Sequence, residues 1–411
     1  MTSRPRTPDR LPLTAPLRHA AFRALLGGRT LMYFGNGLAT AALGFAVLDV
    51  TGSVIHLGLV LATRSLANVS LLLLGGVLAD RLPRPLLLLG ACAVAAASQG
   101  GIAAAVLLDA ASLPLLMALS LVNGAAAAAN IPAALALTPQ TVPADLLRPA
   151  NALARMGLQL GRVAGMSLGG LLVGLVGPGW AIVVDAVAFA AAGGCFALVR
   201  LPRAPAPAAT AGNVLRELRE GWTEFVSRPW VWIVVTQFMV LNAMVNGGTR
   251  ILGPAIADET FGRTLWGLVL AAETLGALVG GVLAARWQPR RALCFGVALS
   301  GAFALPLTMM AVAPNAALLF VAMFLTGVAV EQFGIAWELS VQRHVPPEKL
   351  ARVYSYDALG SFMALPVGEA CIGPLAALVG TEATLLGAAA LVLLATAAAL
   401  GSRSVRTLTL D

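Results

Sequence analysis

Long apolar stretches separated by short polar breaks run the whole length of the chain. They cover approximately residues 24–48, 55–79, 86–108, 113–137, 151–176 and 179–199, and then 230–252, 264–286, 291–313, 316–340, 356–380 and 383–400. A helix needs about 20 apolar residues to cross the hydrocarbon core of a bilayer, so the pattern predicts twelve membrane-spanning helices. Residues 1–23, polar and rich in Arg and Pro, are expected to form a cytoplasmic tail without a cleavable leader. Residues 24–200 and 230–400 are expected to form two six-helix bundles, with a linker at 201–229 and a second tail at 401–411. The linker opens rich in Pro and Ala. It then reads as an amphipathic surface helix capped by Asn213, with Leu215, Leu218, Trp222 and Phe225 on one stripe.

Composition sharpens this picture. Of the 411 residues, 59% are hydrophobic and only 11% charged, against about 25% charged in soluble domains, which excludes a water-soluble body. The net charge of +8 would suit a nucleic-acid partner, but its distribution argues otherwise. With the N-terminus placed inside, twenty-one Lys and Arg residues fall in cytoplasmic segments and one, Arg263, in an outer loop. Cytoplasmic loops retain basic residues, so both termini are expected inside a bacterial cytoplasmic membrane. Cys92, Cys195, Cys294 and Cys371 lie far apart in apolar runs, without metal-ligand spacing. No metal, cofactor or nucleic acid is expected, and a monomer is.

The chain repeats itself at about half its length. Gly75-Gly76-Val77-Leu78-Ala79-Asp80-Arg81 returns as Gly280-Gly281-Val282-Leu283-Ala284-Ala285-Arg286 at an offset of 205 residues. Val142-Pro143-Ala144-Asp145-Leu146 returns as Val345-Pro346-Pro347-Glu348-Lys349 at an offset of 203. Residues 76–84 resemble the signature G-x-L-a-D-r-x-G-r-r of the major facilitator superfamily, with Pro83 in place of the second Gly. The resemblance implies an all-α membrane fold of two six-helix bundles related by a pseudo-twofold axis, with substrate bound between halves that rock against each other. It also implies a cytoplasmic gate built from Gly76, Asp80, Arg81 and Arg84, for which Glu338 and Asp357 are candidate partners. An ordinary positive-inside loop would carry the same arginines.

In the fifth span, Gly161, Gly165, Gly169 and Gly170 resemble the antiporter-type motif G-x-x-x-G-P-x-x-G-G, with Met166 where the Pro stands. That family feature implies export, with a flat glycine stripe packed on the partner half; plain helix packing explains the spacing equally well. Gly165-Met166-Ser167-Leu168-Gly169 also fits a hydrolase elbow, but such an elbow needs a strand-to-helix turn and a histidine. In the fourth span Ser120 stands where the family's proton-coupling arginine would be. Residues 337–348, followed by Tyr354-Ser355-Tyr356-Asp357, resemble the bacterial branch of macrolide-type drug effluxers and enterobactin exporters.

Charges inside the membrane are the candidates for function, because each costs about 2.5–3.5 kcal/mol at mid-bilayer on insertion scales. The first half carries Arg29, Arg64, Arg155, Arg162 and Asp185; the second carries Arg250, Glu273, Glu331, Glu338 and Glu369. In the family, the second and eleventh spans face each other, as do the fifth and eighth. Arg64–Glu369 and Arg162–Glu273 are therefore expected as interdomain pairs that protonation would release, with Glu331 and Asp185 as further proton sites; static structural pairing is the alternative. Arg29, Tyr33, Asn36, Asn242, Asn246, Phe333 and Trp337 are expected near a substrate cavity, although helix packing would claim the same residues. The expected function is proton-coupled export of a small amphipathic compound, such as a drug, secondary metabolite or siderophore. An importer or anion exchanger of the same fold, and a non-transporting membrane scaffold or sensor, are the rivals.

Overall fold

The computed structural model describes residues 14–81, 83–128, 130–200, 222–223, 225–287, 289–346 and 349–409. Eleven of its helices are long and apolar enough to cross a membrane. They are α1 (Ala20–Thr51), α2 (Val54–Arg81), α3 (Arg84–Leu107), α5 (Leu147–Val176), α6 (Pro178–Ala197), α7 (Pro229–Glu259), α8 (Arg263–Arg286), α9 (Ala292–Val312), α10 (Ala316–His344), α11 (Tyr356–Val379) and α12 (Thr381–Gly401). The remaining crossing, α4 (Leu113–Ala128), is shorter and is extended by a separate helix at Asn130–Leu137. Among the described residues, these eleven helices and the shorter α4 correspond in position to the twelve apolar stretches of the sequence.

Local sequence explains where the helices stop. Gly177 and Gly380, with φ of 89° and 91°, turn the chain between α5 and α6 and between α11 and α12. Only glycine takes this conformation without strain, and the two positions are 203 residues apart. The middle of α7 is widened into a π-helical turn over Gly247–Leu252, which is where Arg250 sits; such bulges are common at functional sites.

Packing repeats between the halves. In the first, α1 packs on α5 and α6, α2 on α4, and α3 on α6; in the second, α7 packs on α11 and α12, α8 on α10, and α9 on α12. The correspondence reaches single residues. A side chain at Gly124 of α4 would collide with the Arg64 carbonyl of α2, and one at Gly327 of α10 would collide with the Glu273 carbonyl of α8. These two close approaches put an arginine in one half at the packing position that a glutamate takes in the other. Between halves, α5 meets α8 and α2 meets α11.

The apolar core is unevenly shared. At the end remote from the termini, one cluster runs through both halves, joining Phe45, Leu57 and Ile182 to Trp266, Leu307 and Leu385. Toward the termini the core divides, with Leu25, Leu88 and Phe196 in the first half and Trp230, Phe333 and Val353 in the second. Of the linker, Trp222 and Phe225 are described. They stack on each other at 5.7 Å and meet Tyr356 with tilted rings at 5.6 and 5.9 Å; Asn213, Leu215 and Leu218 lie outside the described residues.

Candidate functional site

At mid-membrane the first half holds two neighbouring groups of hydrogen-bonded polar side chains drawn from five helices. Arg64 lies ten residues from the start of α2, roughly 15 Å below the remote end at 1.5 Å per residue. Its Nε donates to Asn123 Oδ1 of α4 at 2.9 Å, and its Nη2 donates to Asn36 Oδ1 of α1 at 3.3 Å. Asn123 in turn donates to Ser98 Oγ of α3 at 3.2 Å. Beside Ser98, the Gln99 amide donates to Asp185 Oδ2 of α6. Asp185 is fully buried, and its other oxygen has no hydrogen-bond partner. That oxygen faces Gly35 of α1, where any side chain would crowd it.

Across the interface, Glu369 of α11 is 2% exposed, and its Oε2 also lacks a partner. The cations acting on it are Arg250 of its own half and Arg64 of the other, and the Ser65 hydroxyl faces it. The expected Arg64–Glu369 ion pair is not closed in this state, because Asn36 and Asn123 capture the guanidinium within its own half. Nor is Arg162 paired with Glu273, although α5 and α8 are in contact. Within the halves Arg64 acts on Asp185 and Arg250 on Glu369, and across the interface Arg64 also acts on Glu369 and on Arg250.

Among the described residues, the shortest ion pair between the halves is not made by the expected site residues. At the remote end, Arg263 at the start of α8 makes a two-pronged bond to Asp49 of α1, at 2.6 and 2.8 Å, and a second to Asp258 of α7, at 2.7 Å. Its guanidinium also lies 5.0 Å from the centre of the Phe45 ring. The available signal is the one basic residue in an otherwise acidic or neutral set of loops. Below this bond α5 and α8 cross so closely that a side chain on Gly170 would meet the Gly267 Cα at 2.5 Å.

At the opposite end the bridge between halves is Arg155 of α5 to Glu338 of α10, at 3.3 Å, with both side chains about half exposed or more. Glu331, two turns deeper on the same face of α10, feels both of these charges. The gate expectation therefore gains Arg155 as the partner of Glu338. Asp357, by contrast, accepts the Trp337 indole N–H at 2.8 Å and the Ser361 hydroxyl at 3.2 Å, all within the second half. It braces that half and does not reach across. Gly76, Asp80 and Arg81 lie outside the residues whose side chains are described; Arg84 opens α3.

Several expected cavity and motif residues do other work. Arg29 is 6% exposed and donates to Thr138 Oγ1 at 3.4 Å, tying α1 to the end of the fourth crossing. Phe333 and Trp337 are core residues of the second half, with Phe333 stacked on Phe238 at 4.0 Å. Asn242 donates to the Ser361 carbonyl and Asn246 to the Asn242 carbonyl. Asn36 stays at the interface through its bond to Arg64, with Tyr33 one turn away on α1. In the glycine motif, Gly161, Gly165 and Gly169 pack on α1 of their own half. Only Gly170 meets the partner half, because the next residue of a helix is turned by about 100°.

Comparison with known proteins agrees with this architecture. Residues 12–409 match the family model described as "Transmembrane secretion effector". The enterobactin exporter EntS of Escherichia coli O1:K1 is 27% identical over 367 residues, spanning 88% of this chain and 86% of that protein. The Shigella dysenteriae exporter of the same name is 30% identical over 267 residues, or 64% of this chain and 62% of that one. Among solved structures, the nucleoside transporter NupG superposes with a TM-score of 0.73 over 92% of this chain and 98% of that one, at 15% identity. A bacterial homologue of the human lysosomal transporter Spinster gives 0.74 over 92% and 95%, at 16% identity. These are transporters, not enzymes, and the chain belongs to the transmembrane secretion effector family of the major facilitator superfamily, a family of secondary-active membrane transporters.

Proposed function

We propose that this protein exports a small amphipathic compound across the cytoplasmic membrane in exchange for protons. The observation that carries the direction is the likeness to enterobactin exporters along most of the chain, together with the antiporter-type glycines of α5. The basic bias of the loops supports placing the termini in the cytoplasm. In that orientation the shared core and the Asp49–Arg263–Asp258 latch close the outer side, and the divided cores lie toward the cytoplasm. This is the state that would take substrate from inside the cell. Asp185 and Glu369, each buried with an unpartnered oxygen, supply the proton sites. When substrate and protons exchange, the ion balance of each half changes while its backbone moves as a unit.

The test is reconstitution in liposomes with an imposed proton gradient and a dye reporting internal pH. A compound that is exported by exchange will collapse the gradient on addition and accumulate against its own concentration gradient. Accumulation in the same direction as the proton flux would mark uptake and reject the proposal.

A further inference from the structure

Between the Gly170–Gly267 crossing and the Arg155–Glu338 bridge, one face of α10 opens onto the seam between the halves. Gly327, Gly334 and Glu338 share that face, within about 40° of one another at 100° per residue. A side chain on Gly327 would collide with the Glu273 carbonyl of α8, and Glu338 is bridged to Arg155 of α5 at 3.3 Å. Between these two closed points, a side chain on Gly334 would meet nothing within 4 Å. On α5, Arg155, Gln159 and Gly170 lie within about 60° of one another. The first and last of them both meet the second half, at Glu338 and Gly267, so Gln159 faces the seam too. The two helices run in opposite directions. Gln159 and Gly334, each one turn beyond the Arg155–Glu338 bridge, therefore come to the same level. The Gln159 Oε1 is buried and accepts no hydrogen bond. Beside Gly334 is Glu331, partly buried against Gly280 and Gly281 of α8. Arg155 and Glu338 act on it, but Arg155 is engaged by Glu338, and Glu331 has no hydrogen bond or ion pair of its own among the described residues. Arg162, also on α5, is turned about 60° from Gln159.

We propose that the opening over Gly334 receives the ammonium group of an amphipathic amine, which donates to Gln159 Oε1 and pairs with Glu331. This assignment depends on export as proposed and narrows the cargo to amines. A carbonyl oxygen and a carboxylate only accept hydrogen bonds, so a group that satisfies both must donate. With Arg155 shared between Glu331 and Glu338, one negative charge is left over, and a charged donor answers it as well. Met166, two turns further along the Gln159 face, and Val330, one turn from Gly334, supply apolar surface for the rest of the molecule. A proton on Glu331 would cancel the charge that holds the cation. Cargo and proton thus exclude each other there, as exchange requires.

The experiment is equilibrium dialysis of the full-length protein in nanodiscs, with binding to empty nanodiscs subtracted. Its two probes, naphthylethylammonium and naphthylacetate, share a ring system and differ in the sign of their charge. A hydrogen bond to a charged group is worth roughly tenfold or more in affinity, so the unmodified protein should prefer the ammonium by about that factor. Glu331→Gln should bring the two probes level, whereas Glu331→Asp should keep the preference. A carboxylate that only balanced Arg155 would not set this charge selectivity. Gln159→Leu should weaken ammonium binding roughly fivefold. Gly334→Leu, which fills the opening with a better helix former, should abolish it. Equal binding of the two probes by the unmodified protein, or ammonium binding that survives both Glu331→Gln and Gly334→Leu, would overturn the site. Dialysis involves no gradient, so the two proposals fail separately. An amine bound through Glu331 but not exchanged for protons in liposomes keeps the site and rejects proton-coupled export.

Discussion

The latch at the end remote from the termini makes a quantitative prediction. Arg263 joins α8 to Asp49 of the other half and to Asp258 of its own. When the halves separate there, the bond to Asp49 and the stacking over Phe45 are lost, whereas the bond to Asp258 travels with α8. The side chains of Arg263 and Asp49 are 25% and 36% exposed, so water screens the pair, and about 1 kcal/mol is a fair value for the interdomain part. The contact with Phe45 adds about 0.5–1 kcal/mol. Asp49→Asn should thus shift the closed-to-open equilibrium about fivefold toward opening. Arg263→Gln should shift it roughly ten- to thirtyfold, and Asp258→Asn much less. Spin labels on Ala110→Cys and Glu382→Cys, exposed positions at the same end of the two halves, in a background free of native cysteines, would report the populations as a short and a long distance. If Asp258→Asn opened the protein as far as Asp49→Asn, or if Arg263→Gln left the distances unchanged, the latch assignment would be wrong.

Three further outcomes follow from the site. Gly170→Val should wedge α5 from α8, so the same label pair should report the long distance and transport should stop, while each half keeps its own core and the protein still inserts. Asp185→Asn should abolish substrate-dependent proton flux in liposomes but preserve substrate–substrate exchange; retained proton coupling would remove Asp185 from the mechanism. Asp357→Asn should weaken the Trp337 bond and lower thermal stability by about 1–2 kcal/mol, with transport largely intact, because Asp357 serves one half alone.

The architecture was legible in the chain because the bilayer is a demanding solvent. Every backbone group within it must be satisfied inside its own helix, so apolar length alone announced the crossings. The glycine–arginine segments at 75–81 and 280–286 announced the repeat. The intramembrane charges stood out for the same reason: Arg64, Asp185 and Glu369 are conspicuous where charge is expensive. Which charges meet was decided only by tertiary structure. Arg64 and Glu369 are matched in depth, yet Asn36 and Asn123, ordinary polar residues in sequence, stand closer to the guanidinium and bind it first. Gly161, Gly165 and Gly169 share a face that turns to α1, and a single residue of helical rotation sends Gly170 to the other half. Asp49 and Arg263, separated by 214 positions, become partners only when two bundles are set side by side, since periodicity records the face a helix buries and not the neighbour it meets.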